Sequence, residues 1–346
     1  MKILLGLSGG VDSAVAARLL LEQGHAVFAH WLDIGFGGRE EAAALAAQLG
    51  IPFSAGDIRG ALEMEVCHPF AAEYLAGKTP LPCARCNRLV KFPALFAAAE
   101  AVGATHVATG HYAAVAEEGG EHFLHRGMPA NDQSYMLARL PKALLSRIVF
   151  PLGGLEKREV RDFARGFALP VAEKPDSMEI CFIPDGDYAV WLEARGEVAP
   201  PGNFVDRMGR VLGQHRGIHH YTIGQRRGLA IAAGQRIFVS ELDPVRNEVI
   251  LSDGSDLFAR RVFCDEINRL ADFADGTAVT ARLRHSKDEY AATLRLRPEG
   301  ILIETERPAR APTPGQLAVF YQGERVLGSG WITGACRESC AAEPCP

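Results

Sequence analysis

The stretch Leu4-Leu5-Gly6-Leu7-Ser8-Gly9-Gly10-Val11-Asp12-Ser13 decides the fold of this chain. Its apolar start, Ile3 to Leu7, reads as a short buried strand. The run breaks at Ser8-Gly9-Gly10, and a helical pattern follows at once, with Val11, Val15, Leu19 and Leu20 on one face. Two glycines let backbone N–H groups converge without interference from Cβ atoms. The new helix turns its positive end toward the same spot. Ser8 and Ser13 add hydroxyl donors, and a corner of this kind cradles a phosphate or pyrophosphate. No lysine follows the glycines, so this is not the G-x-x-x-x-G-K-[ST] loop, and its spacing is not G-x-G-x-x-G. The bland alternative is an ordinary strand–turn–helix corner that uses glycine for its turn.

Outward from that corner the pattern repeats. Ala26 to Leu32 reads as a second apolar strand, Glu41 to Leu49 as an alanine-rich helix, and Ile51-Pro52-Phe53 as the start of a third strand. Strands alternating with helices predict a parallel sheet covered on both faces, with ligands beyond the carboxyl ends of its strands. The Ser8–Ser13 loop and Leu32 lie at such ends. Ile58 to Leu75 and Leu89 to Val102 read as helices. Between them, the prolines in Thr79-Pro80-Leu81-Pro82-Cys83-Ala84-Arg85-Cys86-Asn87 predict a non-helical segment. Thr105 to Ala108 is a strand that ends in Thr109-Gly110-His111-Tyr112. A hairpin turns at Glu117–Gly120, and a helix runs from Lys157 to Ala168.

Gly196 to Gly202, with Pro200 and Pro201, marks a domain boundary. Beyond it come short strands with turn signals. From Val279 onward their alternation predicts a small antiparallel barrel.

A chain of 346 residues can bury a sizeable core and holds two or three domains. The net charge of −5 argues against a generally basic nucleic-acid coat. Residues 1–206 hold 18 Lys+Arg against 25 Asp+Glu, whereas 207–330 hold 18 against 15. The basic second half permits RNA binding through local patches. No apolar run reaches membrane-spanning length and no leader pattern precedes the first strand, so the expectation is a cytoplasmic protein without a membrane partner.

Eight cysteines in a cytoplasmic chain of this size suggest reactive thiols or metal ligands. Cys83-x-x-Cys86 taken alone is a redox pair, half a metal site or two unrelated thiols. Cys181, between Ile180 and Phe182, reads by itself as a buried core cysteine. Taken together with a phosphate loop, these thiols point to sulfur transfer. That chemistry needs one thiol to carry a persulfide, a second to resolve it, and an oxygen first made into a leaving group.

The Ser8–Ser13 loop resembles that of the PP-loop ATP pyrophosphatases, which adenylate a carbonyl oxygen and release pyrophosphate. The whole chain, over about residues 1–335, resembles the tRNA-specific 2-thiouridylases, the MnmA family. The matching segments are Gly6–Ser13, Pro82–Asn87 with Lys91-Phe92, Ala108–Tyr112, Asp132–Tyr135, Phe150–Gly153 and Asp176–Ile183. Further along they are Tyr221–Arg226 with Gly228-Leu229, and Pro314–Gln316 with Val319–Tyr321.

The resemblance implies an α/β fold. A parallel-sheet PP-loop (adenine nucleotide α-hydrolase-like) catalytic domain over 1–200 is followed by a central β-rich domain over 201–262. A tRNA-binding antiparallel β-barrel over 263–335 and a tail over 336–346 complete it. It also implies ATP, with Mg²⁺ on its phosphates, bound by Gly6, Leu7, Ser8, Gly9, Gly10, Val11, Asp12, Ser13, Leu32 and Gly110. Asp12, Cys86 and Cys181 carry catalysis, with the persulfide on Cys181. His111, Asp132, Gln133, Ser134, Arg284, His285 and Gln316 contact tRNA.

The implied partners are a tRNA with a wobble uridine to be thiolated and a sulfur donor such as a cysteine desulfurase or a relay protein. A [4Fe-4S] cluster on Cys83, Cys86 and Cys181 stays open as the alternative to the persulfide. Two other functions stay open as well: an amide-forming PP-loop synthetase, and a catalytically silent tRNA-binding protein of this fold. The chain departs from the family at Asn131, where the family has lysine, in its shorter segment after Leu32, and in the tail cysteines Cys336, Cys340 and Cys345.

Overall fold

The computed structural model describes residues 1–175, 180–231, 234–286 and 288–337. Asp176 to Glu179 of the Cys181 segment, and Cys340 and Cys345 of the tail, lie outside them.

The first strand, β1 (Lys2–Gly6), lies at the centre of a five-stranded parallel sheet, which is why Ile3, Leu4 and Leu5 form an unbroken apolar run. Helix α1 (Val11–Glu22) follows directly. Then come β2 (Ala26–Asp33), α2 (Arg39–Gln48) and β3 (Phe53–Asp57). With β4 (His106–Ala108) and β7 (Ile148–Val149) the sheet order is β3-β2-β1-β4-β7.

Between β3 and β4 run two interrupted helices. Helix α3 (Arg59–Leu62) passes through a π turn, Glu63–Cys67, into α4 (His68–Leu75). Helix α5 (Pro82–Cys86) passes through a second π turn, Asn87–Lys91, into α6 (Phe92–Ala101). The segment expected to be non-helical is thus corrected. Pro82 occupies the first helical turn, where a missing N–H costs nothing, and so starts the helix that carries Cys83 and Cys86. Pro69 and Pro93 each stand two residues past a π turn. Their rings would crowd the carbonyls of Glu65 and Leu89, four residues back, and the widened turns make room for them.

The hairpin β5 (Ala113–Glu118) and β6 (Glu121–Arg126) follows β4, and the short helix α7 (Ser134–Leu137) precedes β7. Helices α8 (Lys157–Gly166) and α9 (Tyr188–Ala194) close the first domain. The central unit is a four-stranded sheet, order β10-β11-β8-β9, of β8 (Gly202–Asp206), β9 (Val211–His215), β10 (Phe238–Asp243) and β11 (Glu248–Ser252).

The last unit comprises β12 (Phe258–Arg269), β13 (Ala278–Arg282), β14 (Tyr290–Arg297), β15 (Gly300–Arg310), β16 (Leu317–Gln322) and β17 (Arg325–Arg337). It is antiparallel, and pairing of β12 with β17 closes it into a six-stranded barrel. Hairpin β5–β6 joins the barrel sheet through Arg325 and His125.

The barrel is not a tethered module. Its Leu270, Leu317, Val319, Tyr321 and Val326 share one buried cluster with Leu4, Phe92, Leu95 and Val107 of the first domain. Polar contacts reinforce the seam. Tyr135 donates to the Leu317 carbonyl (2.5 Å), Ser329 to Ala138 (2.9 Å), and the Asn268 amide to Ala138 and Leu140 (2.9 Å each). Among the described residues no helix is long and apolar enough to cross a membrane.

Candidate active site

The Ser8–Ser13 corner is held open by its own hydroxyls. Ser8 N–H donates to Ser13 Oγ (3.2 Å), Ser13 Oγ–H to the Gly10 carbonyl (3.1 Å), and the two hydroxyl oxygens are 3.1 Å apart. Gly9 has a φ of +75°, a conformation that favours glycine. Leu7 and Val11 are buried beneath the loop and Ser8 faces solvent. Gly110, at the end of β4, packs so tightly that a Cβ there would lie 2.8 Å from Ser13 N and 2.9 Å from Asp12 C. Two strand ends therefore meet at one cradle. Leu32, near the end of β2, packs partly buried against the cluster that holds Leu4, Phe92 and Leu95 and the cluster that holds Phe70 and Val90.

Asp12 is fully engaged. Lys157 Nζ reaches both carboxylate oxygens (2.7 and 2.8 Å) and the Tyr112 hydroxyl donates to Oδ1 (2.7 Å). Lys157 opens α8, whose preceding N–H, that of Glu156, donates to Glu159 (2.7 Å). Asn131, oriented so that its amide satisfies both neighbours, accepts the Lys157 backbone N–H at 2.7 Å. The position where the family has lysine thus caps a helix here. A second lysine, Lys174, donates to the Gly9 carbonyl (3.1 Å). Sequence reading missed both lysines. Lys157 had a signal in its place at a helix start just after Pro151-Leu152-Gly153, whereas Lys174 is an isolated lysine in a loop.

His111 links the cradle to the thiols. Its Nδ1 lies 2.7 Å from Thr109 Oγ1, and its ring stacks on Phe92 at 6.3 Å and meets Phe150 edge-on at 6.1 Å. Burial, helped by Lys91, pushes its pKa well down, so the imidazole is neutral. Phe92 and Lys91 lie on the helical run that carries Cys86, so the thiols and the phosphate loop share the β4 end of the sheet.

Cys83, Cys86 and Cys181 lie near enough to feel one another and Lys91. Burial pushes the Cys83 thiol up to about 11, and it raises Cys86 and Cys181 as well. The Lys91 ammonium opposes all three shifts. One sequence reading is corrected here. Cys181 is exposed, not a core residue, since it is Phe182 and Ile183 that are buried, although the groups packed around its thiol still desolvate it enough to raise it. Cys86 packs partly buried against the apolar cluster that holds Phe70, Phe182 and Ile183, and burial there disfavours its thiolate. Sequence reading also passed over Cys67. This buried thiol shares that cluster, and burial raises its pKa to about 12.

The residues carried over as tRNA contacts divide. Asp132, Ser134 and Gln316 have buried side chains with intramolecular partners. Asp132 accepts from Arg282 (2.8 Å), from the Ser134 hydroxyl (3.0 Å) and from Gly127 N–H (3.0 Å). Gln316 donates to the Thr79 carbonyl (2.9 Å), just ahead of the cysteine helix. Gln133 accepts the Tyr112 N–H (2.9 Å). In this structure Asp132, Ser134 and Gln316 join the barrel to the first domain, a role their sequence pattern does not disclose, while the Gln133 bond stays within the first domain. His285 is exposed and Arg284 partly so.

A parallel sheet with a Ser-Gly-Gly-Val-Asp-Ser cradle at its central strand, thiols at the same edge and a closed barrel docked against it define an ATP-utilising PP-loop protein. Three family models match the chain: the tRNA methyl transferase HUP domain over residues 1–185, the tRNA methyl transferase PRC-barrel domain over 190–253, and the aminomethyltransferase beta-barrel domain over 260–332. The chain belongs to the tRNA-specific 2-thiouridylase MnmA family. Its relative of that name in Acidithiobacillus ferrooxidans (strain ATCC 53993 / BNL-5-31) is 46% identical over 346 residues, covering 96% of this chain and 98% of that one. The one in Lachnoclostridium phytofermentans is 40% identical, with coverage of 96% and 99%. Among solved structures, a 4-thiouridine synthetase–RNA complex with bound ATP is 18% identical at a TM-score of 0.34, over 57% of this chain and 50% of that one.

Proposed function

We propose that this protein thiolates a tRNA wobble uridine at C2, consuming ATP. The observation that carries the reading is the convergence of cradle and thiols at one sheet end, with His111 between them. The C2 oxygen attacks the α-phosphorus of ATP and pyrophosphate leaves. Lys157, Lys174 and the loop N–H groups stabilise the departing charge. The oxygen donors Asp12, Ser8 and Ser13 suit Mg²⁺, which would neutralise phosphate charge there, with Lys157 yielding the carboxylate to it.

The terminal sulfur of a Cys181 persulfide then attacks C2, and AMP leaves with the original oxygen. The Cys86 thiolate attacks the Cys181 sulfur, the S–S bond to the uridine sulfur breaks, and a Cys86–Cys181 disulfide forms. A thiol reductant reopens it, and a sulfur donor recharges Cys181. The exposure of Cys181 supports delivery by a protein donor. The donor set Cys83, Cys86 and Cys181 also suits an iron–sulfur cluster, because the three thiols are close enough to interact.

The test is pyrophosphate release and thiolation with protein purified without oxygen, with iron measured alongside. tRNA-dependent release together with sulfur incorporation is expected. Release that depends instead on ammonia and a carboxylate would replace this reading with a synthetase, and no release at all would leave a silent binder. Cys83→Ala keeps activity on the persulfide route. Loss of both activity and iron in that variant moves the mechanism to the cluster.

A further inference from the structure

Helix α8 carries Lys157, Arg161 and Arg165 along one face, beside the buried Val160 and Ala164 that anchor it. Like charges at this spacing repel, so a basic stripe persists only where each cation has its own partner. Lys157 holds the Asp12 carboxylate (2.7 and 2.8 Å). Arg165 Nε donates to Glu173 (2.8 Å). Arg161 differs, because its guanidinium grips main chain. Nη1 donates to the Ala172 carbonyl (2.9 Å) and Nη2 to the Lys174 carbonyl (3.2 Å).

Both carbonyls belong to the strap that follows α8. The chain turns back at Ala168, whose φ is +50°, and residues 169–175 form neither helix nor strand. Leu169 and Ala172 sink into the apolar cluster that holds Leu7 and Val11 beneath the phosphate loop. Lys174 lies beyond that anchor and is exposed. Its Nζ nevertheless reaches over the cradle to the Gly9 carbonyl (3.1 Å). A free lysine side chain samples many rotamers, so ordering it over one spot is costly. That cost is smaller when the backbone it springs from is already fixed. The planar fork of Arg161, spanning two carbonyls, supplies the fixing, and a lysine in its place could reach only one of them.

We propose that Arg161 is a positioning residue for the departure of pyrophosphate. It holds the backbone of Lys174 so that the ammonium now resting on Gly9 meets the charge that develops on the leaving group. The proposal rests on the ATP-consuming reading above. The stripe on α8 then brings two ammonium groups to one cradle, Lys157 directly and Lys174 through Arg161. An ammonium that exchanges a neutral carbonyl for a phosphate oxygen gains a charge-assisted hydrogen bond.

The test is a double-mutant cycle on wild type, Arg161→Ala, Lys174→Met and the two combined. Calorimetric binding of inorganic pyrophosphate is the readout, since it needs no tRNA, with melting temperature as control. Lys174→Met should weaken binding about tenfold, the worth of one hydrogen bond to a charged group. Arg161→Ala should weaken it roughly fivefold, and the double variant should match Lys174→Met within about twofold. Arg161→Lys should recover part of the Arg161→Ala loss, and it replaces Arg161→Ala in the cycle if that variant does not fold. In tRNA-dependent pyrophosphate release, Arg161→Ala should lower kcat more than it changes KM for tRNA. A purely structural role gives a different result: the Arg161→Ala loss persists undiminished in the Lys174→Met background. That outcome overturns the proposal, as does wild-type pyrophosphate affinity in Arg161→Ala. Wild-type protein that binds pyrophosphate, yet releases none from ATP when tRNA is present, would instead overturn the functional reading beneath it.

Discussion

At the scale of single residues, the thiol site depends on Lys91. Desolvation by neighbouring groups raises partly buried Cys86 and surface Cys181 above the ordinary thiol range, and the Lys91 ammonium is the opposing charge common to both. Removing that charge therefore raises both thiols further and lowers the thiolate fraction at any fixed pH. Lys91→Ala should shift the pH profile of Cys86 and Cys181 alkylation toward alkali and slow alkylation at pH 8. Mass spectrometry of each cysteine peptide reads the shift, and an unchanged profile would remove Lys91 from the site. Much of this was legible in sequence, since Cys86, Cys181 and the Lys91-Phe92 pair all stand in quoted motifs. Their burial was not. Flanking residues do not say which side chain turns inward, so Cys181 looked buried between Ile180 and Phe182 although only Phe182 fills the core.

At the scale of elements, the strand–loop–helix corner was legible because its signals agree. An apolar run, a glycine pair and an amphipathic helix all specify the same turn. The cysteine helix was misread because proline was taken as a breaker. A proline in the first turn starts a helix, and a π turn ahead of Pro93 lets the helix continue. The approach of β4 to α1 was invisible, because contact between the two strand ends is a property of the sheet order. It yields a prediction. Gly110→Ala would place a Cβ 2.8 Å from Ser13 N, against backbone that cannot swing aside. The α1 N-terminus must then shift. The expected cost is about 1–3 kcal/mol of stability, with at least a tenfold loss of ATP affinity. Calorimetric ATP binding beside a urea titration checks both, and wild-type ATP affinity would show that the cradle tolerates the shift.

At the scale of the whole molecule, histidines set the acid limit. Burial lowers the pKa of His30, His106, His111, His125, His215, His219 and His220. Each folded pKa lies below the unfolded value near 6.5, so the unfolded chain takes up these protons first. Stability is then unaffected by them above about pH 7 and falls as pH drops through 6.5 toward the folded values. Melting temperature should decline steadily from pH 7 to pH 5.5. A flat profile would mean that these imidazoles charge freely in the fold.

The union of barrel and first domain is the feature the sequence hid most fully. Grammar along the chain separates the two, whereas one buried cluster and a set of long-range hydrogen bonds unite them. Asp132 illustrates why. The family resemblance implies that Asp132, with its neighbours Gln133 and Ser134, contacts tRNA. In space, the Asp132 carboxylate is 5% exposed and faces Arg282, 9% exposed, at 2.8 Å, across 150 residues of chain. Arg282 has a second contact on this seam, its guanidinium lying 5.1 Å from the Tyr135 ring. Asp132→Asn removes the charge but keeps the shape, so Arg282 is left as a buried cation without its counter-ion. Breaking one partner of a buried pair costs about 3–5 kcal/mol. The variant should therefore melt well below wild type. Arg282→Met in the same chain should recover part of that loss, because it removes the stranded charge. If Asp132 instead acts mainly on RNA, Asp132→Asn should melt like wild type and bind tRNA differently. Thermal melts of the two variants, read beside tRNA affinity measured well below the transition, separate a domain clamp from an RNA contact.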